Sequence, residues 1–336
     1  MLKYHHFQQE QQDDLEPVVI TESIESLQCA PGGQVRHLPE SRTVFDLNRE
    51  VMRRLADQRE TRRNNLADTD YRKSVRKAVL RSAQIDHRFQ SPEMHRIENP
   101  SAKSFSTYLL EYLSGFRTYA TLYRSEFTRG LIVIISDNNT TGKTRAMELQ
   151  KSGWQVLHIE SDKTDHRREI MSGSPRAGRW AHMLISGATA VGPYFLKQPE
   201  SIILFGEGLI ASLAAPFAAI AAPEVFTHVI TLGGLDQIDS LSSHPSEAHP
   251  LQMLPGALRG FDESDVVSAL APRPALIGNV HNRQNVPLTS SEINERFGWA
   301  IRRYQTLNHT PNLRLISGPV STAALDTWLT SVNGNP

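Results

Sequence analysis

The stretch that most constrains the fold is a short apolar run that enters a Gly-x-Gly corner and continues into a helix of small residues. Residues 202–205 are apolar, Gly206 and Gly208 form the corner, and residues 209–221 are rich in alanine. A sharp turn from a strand into a closely packed helix needs glycine, which has no Cβ and tolerates positive φ. The stretch therefore predicts one strand-turn-helix unit of an α/β sheet.

The rest of the chain repeats this unit. Residues 130–136 form a continuous aliphatic run, which is typical of a strand buried on both faces. Helical patterns follow over residues 144–152, 181–196, 209–221, 291–307 and 322–332. An antiparallel entry over residues 94–123 precedes them. We expect a mostly parallel sheet of about eight strands with helices on both faces, and ligands beyond the carboxyl ends of the strands.

Two further regions precede the sheet. Residues 1–40 are polar with little periodicity, which predicts a loosely ordered arm. Residues 41–93 contain one helix that begins near Thr43, with Asp46 as the partner in a capping box, and a second that begins near Thr69. We expect this segment to pack on an α/β domain formed by residues 94–336.

The charge balance argues against a polyanionic partner. The 336 residues include 36 basic and 36 acidic side chains. The basic helices of residues 41–93 lack the stacking aromatics of single-strand binders, so we interpret them as solvated faces and expect no nucleic acid. No run of about 18 apolar residues could cross a membrane, and residues 1–14 lack the apolar core of a secretory signal. We therefore expect a cytoplasmic protein with no membrane contact, while the oligomeric state stays open.

One loop invites a nucleotide-binding interpretation. Residues 137–144 read Asp-Asn-Asn-Thr-Thr-Gly-Lys-Thr and precede a predicted helix. A P-loop requires glycine where this chain has Asp137, whose carboxylate would face the phosphates. We favour an ordinary strand-to-helix loop and keep nucleotide or phosphate binding as an alternative.

The Gly-x-Gly corner has the outline of a nucleophile elbow, the turn that raises a catalytic serine above a sheet. In the Gly-x-Ser-x-Gly register the first three residues are Gly206, Glu207 and Gly208. Glycine therefore stands at the nucleophile position.

A longer motif carries a family resemblance. Its parts are Leu254-Pro255-Gly256, Phe261-Asp262, Asp265 and Ala271-Pro272-Arg273-Pro274, in that order. The segment resembles the one before the acid-bearing strand in acetyl xylan esterase-like α/β-hydrolases. With the strand and helix order, the resemblance extends over residues 45–332. It implies an α/β-hydrolase fold, a Ser-Asp-His triad and a sugar-ester ligand.

The triad does not carry over. The nucleophile position is Gly208, the acid loop offers Asn282 and Arg283, and the histidine loop has Val320. An amide or guanidinium group cannot stabilise an imidazolium as a carboxylate does. The resemblance thus implies a degenerate esterase with a binding pocket and with no cofactor or metal. The pocket residues that we expect are Asp137, Glu207, Gly208, Leu209 and His281.

A second hypothesis is an active ester hydrolase with a displaced nucleophile. Ser186 or Ser212 could act with His281 or His182 as the base. A serine within hydrogen-bond reach of an imidazole would favour this alternative.

Overall fold

The computed structural model describes residues 20–28, 30, 32–35, 38–86, 91–97, 104–112, 115–126, 129–162, 173–195, 201–238 and 254–333. The chain divides into two compact units, Met1–Leu47 and Asn48–Pro336. The second unit contains the whole sheet. No helix among the described residues is both long and apolar enough to span a bilayer.

A nine-stranded sheet forms the centre of the second unit. Its strands are β1 (Glu93–Ile97), β2 (Phe105–Glu111), β3 (Arg117–Tyr123), β4 (Leu131–Ser136), β5 (Gln155–Ile159), β6 (Ile202–Glu207), β7 (His228–Leu232), β8 (Ala275–Gly278) and β9 (Leu313–Ile316). The spatial order is β1-β2-β3-β5-β4-β6-β7-β8-β9. The pairs from β1 to β5 are antiparallel, and all pairs from β5 to β9 are parallel. The predicted mostly parallel sheet is confirmed.

Helices cover both faces of this sheet. Among the described residues they are α1 (Val44–Asn65), α2 (Asp68–Ser82), α3 (Asn139–Lys151), α4 (Arg176–Phe195), α5 (Ala211–Ala221), α6 (Glu263–Leu270), α7 (Ser290–Arg296), α8 (Gly298–Thr306) and α9 (Thr322–Asn333). One apolar cluster joins α2, α4, α5 and α6 to the sheet, and a second joins α3 and α9 to it. Strands β4, β5, β7 and β8 are buried along their whole length because these layers enclose them.

The two N-terminal helices have the predicted signals. Thr43 and Asp46 form the capping box, because the Thr43 amide donates to Asp46 Oδ2 (2.8 Å) and the Asp46 amide donates to Thr43 Oγ1 (3.3 Å). Helix α2 buries Tyr71, Val75 and Val79 within the first apolar cluster. The apolar face of α2 is thus part of the main core.

Several boundaries differ from the prediction. The sheet has nine strands rather than about eight, since the antiparallel entry contributes three strands. Helix α3 begins five residues early because the Asn138 carboxamide accepts the amides of Thr140 (2.9 Å) and Thr141 (3.3 Å). Helix α4 begins at Arg176 rather than at residue 181. The predicted helix over residues 291–307 is two helices, α7 and α8, which meet at Phe297.

Candidate functional site

The Gly-x-Gly corner joins β6 to α5 as the sequence predicts. Gly208 has φ +114°, and its amide donates to the carbonyl of Leu232 at the end of β7 (2.8 Å). A Cβ on Gly206 would lie 2.0 Å from the carbonyl oxygen of Ala211. The two glycines therefore serve different purposes: Gly206 lets α5 approach the strand, and Gly208 supplies the positive φ of the turn.

The side chain of Asp137 lies directly over this corner. Asp137 Oδ1 accepts the amide of Ala211 (2.9 Å), and both carboxylate oxygens accept the amide of Ile210 (3.1 and 3.2 Å). A Cβ on Gly208 would lie 2.6 Å from Asp137 Cγ. The carboxylate thus occupies the space into which a side chain at position 208 would point.

Two opposing effects act on this carboxylate. Desolvation by the surrounding protein is the larger and raises the pKa of Asp137 above its ordinary value, although the residue as a whole is exposed. Hydrogen bonds from the amides of Leu209, Ile210 and Ala211 favour the ionised form and lower the pKa. The net effect is a raised pKa. The backbone amides at the start of α5 nevertheless stabilise the ionised carboxylate by hydrogen bonding.

Arg145 on α3 ties the corner to the loop after β9. Its Nη2 donates to Glu207 Oε1 (3.0 Å), and its Nη1 donates to Thr322 Oγ1 (2.7 Å). Nη2 also lies 3.4 Å from the carbonyl oxygen of Val320. Arg145 and Glu207 are each only 16% exposed, so the charge of Glu207 has a fixed partner. Glu207 is therefore part of a structural bridge.

The loop after β9 holds Val320 in the core. Val320 is 6% exposed and belongs to the cluster beneath α3 and α9. A Cβ on Gly278 would lie 2.7 Å from Val320 Cγ2. Val320, which the resemblance aligns with the histidine of the triad, thus packs against the end of β8.

Backbone hydrogen bonds hold the loop after β8 in place. The His281 amide donates to the carbonyl of Gly234 (2.9 Å), and the Asp236 amide donates to the carbonyl of His281 (3.0 Å). The Asn282 side chain accepts the amides of Gln284 (3.0 Å) and Val286 (3.1 Å), which closes a tight turn. His281, Asn282 and Arg283 are all half-buried. Asn282 therefore shapes the loop in which the family acid would stand.

The loop over residues 137–144 lacks P-loop geometry. Gly142, Lys143 and Thr144 lie inside α3, and Asn138 already caps the first amides of that helix. A Cβ on Gly142 would lie 2.7 Å from His158 Nε2, so Gly142 is needed for helix packing on β5. The amides that would hold a phosphate are occupied by the chain itself.

The serines proposed as displaced nucleophiles are buried. Ser186 is 0% exposed and donates to the carbonyl of His182 (2.7 Å) within α4. Ser212 is 2% exposed and donates to the carbonyl of Leu209 (3.0 Å). Each hydroxyl group thus donates to a backbone carbonyl three or four residues earlier in the chain.

Metal ligation has no support in the described part of the chain, where no group of three or more His, Cys, Asp or Glu residues could hold an ion. His244 and His249, whose spacing of five residues is weak evidence for a metal site, lie outside the described residues.

The structure brings together Asp137, Glu207, Gly208 and Leu209 at the corner. His281 lies on the neighbouring loop, which is bonded to Gly234. Sequence reasoning missed Arg145, because no local pattern indicates its contact with Glu207, which lies 62 positions later in the chain.

Comparisons with known proteins identify the fold. No family model and no curated protein sequence matches the chain. A proposed acetyl xylan esterase of Bacteroides fragilis NCTC 9343 superimposes with a TM-score of 0.64 at 13% identity, covering 84% of each chain. A CE15 glucuronoyl esterase of Teredinibacter turnerae T7901 gives a TM-score of 0.53 at 13% identity, covering 80% of this chain and 86% of that chain. The acetyl xylan esterase of Paenibacillus sp. R4 gives 0.50 at 13% identity, covering 80% and 93%. The chain therefore has an acetyl xylan esterase-like α/β-hydrolase fold.

Proposed function

We propose that this protein is a catalytically degenerate esterase that retains a binding pocket above the corner between β6 and α5. The observation that carries the proposal is the position of Asp137, whose carboxylate fills the space of a nucleophile and accepts the amides of Ile210 and Ala211. In α/β-hydrolases the residue after the nucleophile donates its amide to the oxyanion. Here an internal anion competes for the same group of donors.

Two further features support the absence of a working triad. The position of the family histidine is Val320, buried against Gly278, and the turn of the acid loop is closed by Asn282. An esterase without its triad keeps only the rate enhancement of substrate binding and oxyanion stabilisation. Asp137 would also weaken the latter, because a carboxylate repels a developing oxyanion.

The proposed ligand is a carbohydrate ester. The structural neighbours include acetyl xylan esterases and a glucuronoyl esterase, and the exposed Asp137 offers a hydrogen-bond acceptor at the carboxyl ends of the strands. We also propose a cytoplasmic location, because the 336 residues hold a single cysteine and disulfide frameworks are typical of secreted domains. Fractionation of the source cells would test that location.

The experiment for activity is labelling of the purified chain with a fluorophosphonate probe, followed by peptide mass spectrometry, beside a p-nitrophenyl acetate assay. We expect no labelled serine and no turnover above background. Stoichiometric labelling of one serine together with turnover would overturn the proposal and favour a displaced nucleophile. The experiment for binding is saturation-transfer NMR with an acetylated xylo-oligosaccharide, for which we expect saturation of the acetyl protons without hydrolysis. If the oligosaccharide does not bind, the proposal that the protein retains a binding pocket is wrong.

A further inference from the structure

A groove follows α2 and continues just beyond its end. We call it the α2 groove. Its volume is about 420 Å³, within the range of roughly 300–1,000 Å³ that is typical of ligand sites. The described residues that line it are four basic and two aliphatic ones: Lys73, Arg76, Lys77, Arg81, Leu80 and Ile85. None of these six is acidic or aromatic, and none belongs to the corner between β6 and α5.

Three of the basic side chains form a column along α2. Lys73, Lys77 and Arg81 lie four residues apart, so they share one face of the helix and follow one another at intervals of about 6 Å along its axis. All three are exposed. Like charges at this spacing repel each other, which destabilises a helix. A negatively charged partner would relieve this repulsion.

The positive charges of the column are largely uncompensated. The side chains of Lys77 and Arg81 take part in no hydrogen bond or ion pair with described residues. Lys73 Nζ lies 3.8 Å from Asp70 Oδ1, but the two side chains are 78% and 65% exposed, so water screens this pair. The column can therefore pair with charges on another molecule.

The core fixes the scaffold of the groove. Arg76 donates from Nε to the carbonyl of Ile220 (3.1 Å) and from Nη2 to that of Ala221 (2.8 Å), which ties α2 to the end of α5. Leu80 and Ile85 are 8% and 5% exposed and belong to the first apolar cluster. Because this aliphatic pair is buried and the basic side chains are exposed, the pair forms the floor of the groove and the basic side chains form its rim. A partner would thus meet a preformed surface, which lowers the entropic cost of binding.

The rim and the floor together select the class of partner. A basic rim favours carboxylates or phosphates, because complementary charges steer association and fix its register. A flat bilayer surface would contact the rim without reaching Leu80 and Ile85. Nucleic acid bases would find no aromatic side chain among the described lining residues on which to stack. An aliphatic side chain that projects from a peptide can reach the floor while neighbouring carboxylates pair with the rim.

We propose that the α2 groove docks an acidic segment of a partner protein, in which an aliphatic side chain lies between carboxylates at the spacing of the column. Lys77 and Arg81 pair with the carboxylates, and Leu80 contacts the aliphatic side chain. The inference goes beyond the proposed function and does not depend on it, because it uses no residue of the corner.

The test is fluorescence anisotropy of the full chain with a labelled peptide that repeats Glu-Leu-Ala-Ala, which places carboxylates four residues apart in a helix. One contrasting peptide repeats Gln-Leu-Ala-Ala and lacks the charge; the other repeats Glu-Ser-Ala-Ala and lacks the aliphatic side chain. We expect the first peptide to bind at least tenfold more tightly than either contrast, with an affinity that falls as the salt concentration rises. Equal binding of either contrasting peptide, or no binding of the first at millimolar protein, would overturn the proposal.

Two further probes distinguish a docking groove from a general attraction to polyanions. They are vesicles of phosphatidylcholine with phosphatidylserine, and oligouridine, each at the same salt concentration as the peptide. We expect neither to displace the labelled peptide. Displacement by the vesicles would indicate a membrane surface, displacement by oligouridine would indicate RNA, and either result would overturn the proposal.

Variants locate the site. Lys77→Glu combined with Arg81→Glu should weaken the binding of the acidic peptide at least tenfold. The matched control is Arg53→Glu combined with Arg54→Glu, at two exposed positions of α1 outside the groove, which changes the net charge equally and should leave the affinity unchanged. Lys77→Gln combined with Arg81→Gln should also lose affinity while it keeps the circular dichroism spectrum of the folded protein, which separates loss of binding from loss of folding. Equal affinities in the groove variants and the control would refute the proposed site.

Discussion

Asp137 and Gly208 are complementary in shape: the carboxylate of the first lies where the side chain of any other residue at the second would stand. A Cβ on Gly208 would approach Asp137 Cβ to 2.7 Å and Cγ to 2.6 Å. The two residues come from neighbouring parallel strands, β4 and β6, at the ends where ligands bind in such sheets. Restoring a serine at the corner therefore requires a change at both positions.

We expect Gly208→Ser to destabilise the protein without creating an esterase. The change adds the strain of φ +114° to a steric overlap with Asp137, for a loss of about 2–4 kcal/mol in the free energy of unfolding. The double variant with Asp137→Gly should recover part of that loss, because glycine at position 137 removes both the Cβ and the Cγ that overlap with the new side chain, while the strain remains. Urea unfolding of the wild type, both single variants and the double variant measures the coupling.

The control for this cycle is Gly256→Ser. Gly256 also has a positive φ, +74°, but no atom lies within 4 Å of its ideal Cβ. We expect Gly256→Ser to lower the free energy of unfolding by about 1 kcal/mol, because it adds backbone strain without a steric overlap. Equal losses at positions 208 and 256, or strict additivity of Gly208→Ser and Asp137→Gly, would contradict a clash between the two residues.

Arg145 should contribute more to stability than a surface ion pair does. Replacement by methionine removes the ion-pair partner of Glu207, whose side chain is only 16% exposed, and the hydrogen bond from Arg145 to Thr322. We therefore expect the free energy of unfolding to fall by about 2–4 kcal/mol. The comparison is Arg117→Met, which breaks the Arg117–Glu111 pair, whose side chains are 61% and 30% exposed. Thermal and urea unfolding give both values. A loss at Arg145 no larger than the loss at Arg117 would show that the bridge between β6 and the loop after β9 is not a stabilising one.

Local patterns predicted the parts of the fold that depend on nearby residues. The apolar runs located the central strands, Thr43 with Asp46 predicted a helix start, and the glycine corner predicted the turn after β6. These signals depend on hydrogen bonds and steric limits within a few residues. The nine-stranded sheet and its esterase neighbours confirm the fold that the motif at residues 254–274 implied.

Contacts between distant residues limited the prediction of the site. Asp137 and Ala211 are 74 positions apart, and Arg145 and Glu207 are 62 apart, so no local pattern reports either bond. Helix α3 began early for a different reason: Asn138, read as part of a loop, caps the helix. The helix over residues 291–307 divided because the backbone turns at Phe297, which the apolar spacing alone did not reveal.

Two buried histidines should make the protein less stable in mild acid. Burial, aided by Lys143 for His158 and by Arg273 for His228, lowers the pKa of each imidazole to about 4. Both rings stay neutral in the folded state, whereas the unfolded chain binds protons below about pH 6.5. Each contribution is thus complete above pH 6.5 and is lost as the pH falls towards 4, at a cost on the order of 3 kcal/mol per histidine.

Urea unfolding between pH 4.5 and 7.5 measures this dependence. His158→Gln should flatten the decrease of the unfolding free energy below pH 6.5, and so should His228→Gln. Parallel profiles for His158→Gln and the wild type would refute the neutral buried imidazole.

Glu263 should have the opposite pH dependence. The residue is 7% exposed, and burial, together with repulsion from Asp262 and Asp236, raises the pKa of its carboxyl group well above the ordinary value. The folded state therefore holds a proton that the unfolded chain releases above about pH 4.5. The stability that this group contributes is complete below pH 4.5 and is lost as the pH rises towards its folded pKa.

Glu263→Gln keeps the shape of the side chain and removes its titration. We therefore expect the free energy of unfolding to rise by about 1–3 kcal/mol at pH 7.5 and to change little at pH 4.5. The matched control is Glu292→Gln at the capping box of α7, where the amide and hydroxyl of Thr289 lower the pKa of the carboxylate. That change should reduce stability at pH 7.5, and a Glu263→Gln variant that behaved the same way would show that Glu263 is ionised in the folded protein.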